Sequence, residues 1–179
     1  MSDKFTSVHY HTYLQLDKLL GAQELRSASL AKEPAHDEML FIIMHQVYEL
    51  WFKQIIHEIG SIGAMFADDQ MDDREISIAV NRLERIIEIQ KLLIEQVNVM
   101  ESMTAMDFLD FRHYLFPASG FQSLQFRLVE NMLGLKEEDR LTYNKKPYDI
   151  VFTGEQKKQL KESVENKSLL TNLIVTTDR

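Results

Sequence analysis

No cysteine occurs among the 179 residues, which excludes disulfides, thiolate metal sites and cysteine nucleophiles together. Glycine is scarce, with six in all, and no Gly- or Ser-rich stretch divides the chain. One domain spanning 1–179 is therefore expected. A run of about 18 uncharged apolar residues is also missing, so no membrane span is expected. Basic residues are outnumbered, 20 Lys and Arg against 28 Asp and Glu for a net charge of −8. Nucleic acid is not expected as a partner, because phosphate binding needs a clustered basic surface and the chain offers short pairs such as Lys145-Lys146. The first residues, "MSDKFTSVHYHTYLQLDKLL", lack a basic start followed by an apolar block and a small-residue cleavage site, which leads to the expectation of a cytoplasmic protein.

What remains is 45% apolar and 27% charged, an ordinary globular composition. No alternating β pattern appears, and the three prolines, Pro34, Pro117 and Pro147, fall at junctions. The class expected is all-α. A short amphipathic helix is read over Tyr10 to Leu20, ending near Gly21. A second runs from about Asp37, its cap, to Phe66, a length of about 43 Å at 1.5 Å per residue. Asp72 and Glu75 form a capping-box pattern, after which Ile76, Val80, Leu83, Ile87, Ile94 and Val97 keep helical spacing towards Met103. Thr104 with Asp107 opens a short helix that must stop near Pro117. "PASG" is a loop, a further helix runs from about Phe121 to Gly134, and "KKPYDIVFTG" reads as irregular or briefly extended. Glu155 to Leu173 is weakly helical with a polar surface, and no internal repeat is present.

One residue breaks the second helix's apolar character. In "HDEMLFIIMHQVYELWFKQ", Leu40, Ile43, Met44, Val47, Leu50, Trp51 and Ile55 share a broad stripe, with Phe41, Tyr48 and Phe52 beside it. His45 falls next to these aromatics, within or at the edge of the buried part. The polar sector is narrow: Gln46, Glu49, Lys53 and His57. Taken alone, His45 is a histidine that bonds a neighbouring carbonyl or carboxylate and ties helices together. In "TAMDFLDFRHYLFPASGFQS", however, Phe108 and Arg112 sit one helical turn apart, followed by a loop with Ser119 and Gly120. An arginine beside aromatics can clamp a carboxylate bidentately, while loop N–H groups and a hydroxyl assist. The plainer alternative pairs Arg112 with Asp107, Asp110 or another helix. Other chemistries lack their signatures: Glu33 and His36 give the single Glu-x-x-His where a di-iron bundle needs two, and no zinc, Walker, dinucleotide or hydrolase-elbow motif occurs. His9 and His11 read as a surface pair.

Four stretches, "YHTYLQLDKLL", "HDEMLFIIMHQVYELWFKQIIHEI", "LIEQVNVMESMTAMDFLDFR" and "SGFQSLQFRLVENMLG", together closely resemble the N-terminal part of the tryptophan 2,3-dioxygenase family, from roughly Val8 to Lys136 and in the family's order. The resemblance implies long antiparallel helices in a bundle-like haem dioxygenase fold, assembled as a homotetramer. It implies haem b with ferrous iron, and insertion of O2 across the C2–C3 bond of the L-tryptophan indole to give N-formylkynurenine, a step of tryptophan catabolism in the kynurenine pathway. His45 then lies on the distal side of the haem and hydrogen-bonds the indole N–H, and Phe41 packs on the indole. Arg112 grips the substrate carboxylate beside Phe108, and Ser119 with Gly120 lies near the haem. Tyr10, Tyr13 and Leu14 match residues that close a neighbouring subunit's pocket.

The same resemblance divides the chain into an N-terminal segment, 1–21, a distal-pocket region, 22–135, and a weakly matched helical segment, 136–179. Two departures stand out: Phe108 replaces a Tyr common in bacterial relatives, and "FPASG" replaces Gly-Pro-Ser-Ser-Gly. Relatives continue past the equivalent of Arg179, and that later part supplies the proximal haem histidine and a Thr-Gly-Gly loop. No histidine follows His113, so no metal ligand is assigned in this chain, and a C-terminal fragment of the same protein becomes a candidate partner. A shortened form, one part of a cleaved chain and a remnant without catalysis all stay open. Beside the enzyme stand two other readings: an inactive haem- or indole-binding helical module, and a purely structural helical domain.

Overall fold

The computed structural model describes residues 7–66, 72–140, 147–166, 168, 169 and 171. The expected features at Lys145-Lys146 and at the end of the last helix, 172–173, lie outside them. Among the described residues there are helices and no strands. No helix among them is long and apolar enough to cross a membrane.

Two long helices carry the fold, α4 (Glu38–Phe66) and α5 (Asp73–Met100). They run antiparallel, since Tyr48 bonds Leu93, Glu58 meets Arg85 and Met65 meets Arg82. Asp72 and Glu75 close the capping box at the start of α5; this satisfies helix N–H groups that no earlier turn can reach. Ile55, Ile59 and Ile62 of α4 pack against Ala79, Ile86, Ile89 and Leu93 of α5. Of the residues marked by periodicity, Leu83 packs against this core, whereas Ile76, Val80, Ile87, Ile94 and Val97 are exposed. Two apolar stripes run along α5 side by side, and spacing alone cannot tell which one meets α4.

Within the core, α4 and α5 enclose one charge. Glu58 is 3% exposed and accepts from Arg85 Nη1 at 2.7 Å and Gln54 Nε2 at 2.6 Å, with Arg82 Nε 3.7 Å away. Burial pushes its pKa up, but the hydrogen bonds from Arg85 and Gln54 and the nearby positive charge outweigh that and hold it below the ordinary carboxylate value.

The remaining helices are shorter. α6 (Ala105–Leu115) opens on the Thr104–Asp107 capping box and ends before Pro117. A 3-10 turn, Gly120–Gln122, leads into α7 (Leu124–Leu133), which stops at Gly134 with φ +95°; that left-handed C-cap position suits glycine. α8 (Gly154–Glu165) docks on α7 through Asn131, which donates to Ser163 Oγ at 2.7 Å. The buried guanidinium groups of Arg127 and Arg140 share Glu130, at 2.7 and 3.2 Å, and so tie the segment after α7 to it.

At the N-terminus the expected single helix is two, α1 (Tyr10–Tyr13) and α2 (Leu16–Leu20). The break is at Gln15, with φ +53°, whose side chain donates to the Thr12 carbonyl at 2.7 Å. Neither piece buries a residue, so no packing holds one continuous helix together. Sequence reading also missed α3 (Arg26–Leu30). Its start is capped from a distance: the buried Glu38 carboxylate accepts from Arg26 N at 2.7 Å and Ser27 N at 2.9 Å. Asp37, read as the cap of α4, contributes its backbone carbonyl to the Phe41 N–H at 3.0 Å.

Candidate active site

A cavity of about 880 Å³ opens beside the first half of α4. Its walls come from Phe41 to Phe52 on α4, the end of α6, the Ala118–Ser123 loop and the start of α7, with Glu24 and Arg26 at one end. Two sets of hydrogen bonds on α4 hold its borders. Gln46 donates to the Ala22 carbonyl at 3.0 Å and accepts from Gln23 at 2.6 Å. Glu49 accepts from Ser123 and Gln125.

His45 lies on this wall as an exposed residue, farther out than its place beside the apolar stripe implies. Its ring centroid is 4.1 Å from that of Phe41, and Nδ1 is 2.7 Å from the Phe41 carbonyl oxygen. A carbonyl can only accept, so Nδ1 carries the hydrogen. In the neutral ring Nε2 then holds a lone pair and is an acceptor.

Phe41 links the cavity to α6. It stacks on Phe108 at 5.7 Å and meets the buried Phe111 edge-on at 5.5 Å. The Arg112 guanidinium lies 5.4 Å from the Phe108 ring centroid, a cation–π placement. Asp107 serves the helix cap instead of Arg112: its Oδ2 accepts from Thr104 N at 2.9 Å and Thr104 Oγ1 at 2.5 Å. Those bonds keep its carboxyl below the ordinary value. Among the described residues Arg112 makes no hydrogen bond or ion pair, so its charge is available. Ser119 caps the 3-10 turn, accepting from Phe121 N at 3.3 Å, and lines the cavity with Gly120.

The structure thus brings His45, Phe41, Ser119 and Gly120 onto one cavity. Phe108 and Arg112 are outside its lining and flank it behind Phe41. Tyr10, Tyr13 and Leu14 are exposed on or just after α1 and line no part of it. Glu49, Gln46 and Tyr114 were not picked out by sequence reasoning, although the i, i+4 spacing of His45 and Glu49 was visible. No group of three or more His, Cys, Asp or Glu among the described residues is placed to hold a metal ion.

The family model for tryptophan 2,3-dioxygenase matches residues 2–179. The chain belongs to the tryptophan 2,3-dioxygenase family. Membership extends through the segment after Lys136, which the four motif stretches do not reach. The tryptophan 2,3-dioxygenase of Dictyostelium discoideum is 49% identical over 168 residues, 94% of this chain and 42% of the relative. That of Bdellovibrio bacteriovorus is 51% identical over 166 residues, covering 93% and 46%. The Xenopus tropicalis protein is 52% identical over 162 residues, covering 90% and 40%. The chain therefore spans less than half the length of these tryptophan 2,3-dioxygenases.

Proposed function

We propose that this chain is the distal, substrate-recognising part of a haem-dependent tryptophan 2,3-dioxygenase, which inserts O2 across the indole C2–C3 bond of L-tryptophan to give N-formylkynurenine. The observation that carries this reading is the 2.7 Å contact between His45 Nδ1 and the Phe41 carbonyl oxygen. With Nδ1–H held by the Phe41 carbonyl, Nε2 is left to accept a hydrogen bond from an indole N–H. Phe41, in ring contact with His45, offers the indole a packing surface. Arg112, which flanks the cavity beside the Phe108 ring, supplies the cation for the substrate carboxylate. A site that recognises both groups rejects analogues lacking either, because its own polar groups are then left unpaired.

The cavity suits haem in size and character. Its volume of about 880 Å³ is within the range of about 300–1,000 Å³ common for cofactor sites. Phe52, Met100 and Phe126 give it apolar walls, and these residues, with Ser119 and Gly120, would hold the macrocycle. When bound, haem supplies the ferrous iron that makes oxygen chemistry accessible. His45 positions the substrate and needs no proton transfer to do so. Tyr10 and Tyr13, 71% and 74% exposed on a helix with no buried residue, suit contact with a neighbouring subunit in a cytoplasmic homotetramer.

The test is tryptophan binding and turnover in the haem-loaded protein. Arg112→Leu is expected to raise KM for L-tryptophan about 10- to 150-fold, the loss of a charge-assisted hydrogen bond of about 1.5–3 kcal/mol. His45→Ala is expected to reduce discrimination between tryptophan and its N-methylindole analogue. An unchanged KM removes Arg112 from the clamp, and preserved discrimination removes the His45 hydrogen bond. Tryptophan binding without turnover moves the reading to an indole-binding module.

A further inference from the structure

We infer that Glu49 is a positioning residue that sets the spacing between His45 and the Ser119–Ser123 loop across the cavity. The inference rests on the proposed function for the substrate it names, but its geometry stands by itself. Glu49 is one turn beyond His45 on α4. Its Oε1 accepts from Ser123 Oγ at 2.5 Å and its Oε2 from Gln125 Nε2 at 2.9 Å. The same Gln125 nitrogen also donates to the Glu49 backbone carbonyl at 2.8 Å. Both hydrogens of that amide are thus spent on one residue. Ser123 is fixed from two sides, since its Oγ also accepts from Phe126 N at 3.1 Å as the N-cap of α7.

The loop ahead of Ser123 is tied to itself as a unit. Ser119 N donates to Gln122 Oε1 at 3.1 Å, Gln122 N to the Ser119 carbonyl at 2.9 Å and Ser123 N to the Gly120 carbonyl at 3.1 Å. Anchoring Ser123 therefore anchors Ser119 and Gly120. Glu49, Ser119, Gly120, Gln122 and Ser123 all line the cavity that His45 lines. Each Glu49 oxygen accepts from one of these two side chains, Ser123 or Gln125. Its effect on a bound indole passes through the loop it holds.

The deciding experiment compares Glu49→Ala and Glu49→Gln with the wild-type protein in two measurements. Amide hydrogen exchange at Phe121 to Phe126 is read without haem, and tryptophan kinetics are read in the haem-loaded protein. Glu49→Ala is expected to speed exchange at these amides at least tenfold, to raise KM about tenfold and to shift the Soret response to tryptophan. Glu49→Gln retains an acceptor for Ser123 but opposes an amide to the Gln125 amide, so it should fall between the two. A lower Tm with unchanged loop exchange, or with unchanged KM, assigns Glu49 to stability alone and overturns the inference. Should the wild-type protein bind no tryptophan, the function proposed above fails, and the exchange rates alone decide whether Glu49 holds the loop.

Discussion

The two halves of α4 do opposite things with the same kind of sequence. From Ile55 to Ile62 the inner face is closed, with Ile55 at 1% and Ile62 at 0% exposure, and the one carboxylate there is shut in with Arg85 and Gln54. From Phe41 to Phe52 the aromatic residues stay half-buried, and the polar ones hold neighbouring segments at a distance through Gln46 and Glu49. One half stores stability by excluding water. The other leaves apolar surface unfilled, which is what a ligand site requires. A single helix makes the closed half a rigid base for the open one.

The strongest way to break this contrast is to weaken the closed half. Ile62→Ala removes buried methylenes from a fully enclosed position and is expected to cost about 2–5 kcal/mol by urea unfolding. His45→Ala, at an exposed position on the open half, is expected to stay within about 0.5 kcal/mol. Comparable losses at the two sites mean that the halves share one packing environment and that the contrast is false.

Much of this was legible in the sequence, and the misses have physical causes. Both capping boxes, the stop before Pro117 and the Gly134 terminus rest on contacts within a few residues, and the structure has each of them. α3 was missed because its cap is Glu38, 12 positions from Arg26; no local pattern reports that. The spacing of Ile76 to Val97 marks α5 as a helix but not its inner face, because the helix carries two apolar stripes. At the candidate site, His45, Arg112 and Ser119 could be marked by residue type and context. Gln46 and Glu49 read as a solvated polar sector, and only tertiary structure brings Ala22, Ser123 and Gln125 to them.

A second way to sharpen the comparison is acid. Glu58 titrates below its ordinary value in the fold, so its stabilising contribution is complete above the unfolded carboxyl pKa of about 4.3 and is lost as pH falls through the folded value. Glu58→Gln is expected to cost about 1–3 kcal/mol at neutral pH. Its deficit relative to wild type should shrink as the pH drops below about 4. A deficit that is constant with pH means that Glu58 contributes through shape rather than charge.

The smallest effect belongs to Tyr48, at the border of the two halves. Its hydroxyl donates to the Leu93 carbonyl at 2.6 Å, and burial raises its pKa. Tyr48→Phe is expected to cost about 0.5–1.5 kcal/mol near pH 7. The raised pKa keeps the phenol neutral in the fold, so the wild-type protein loses this advantage as pH rises above the unfolded value of about 10. The gap between variant and wild type should therefore narrow in alkali while the acid response carried by Glu58 stays as it was. Opposite pH signatures from residues ten positions apart on one helix would show that each is held through its own ionisable group, Glu58 as a carboxylate and Tyr48 as a neutral phenol. Parallel pH profiles would mean that neither loss is set by the titration of the residue replaced, and that both side chains act through packing alone.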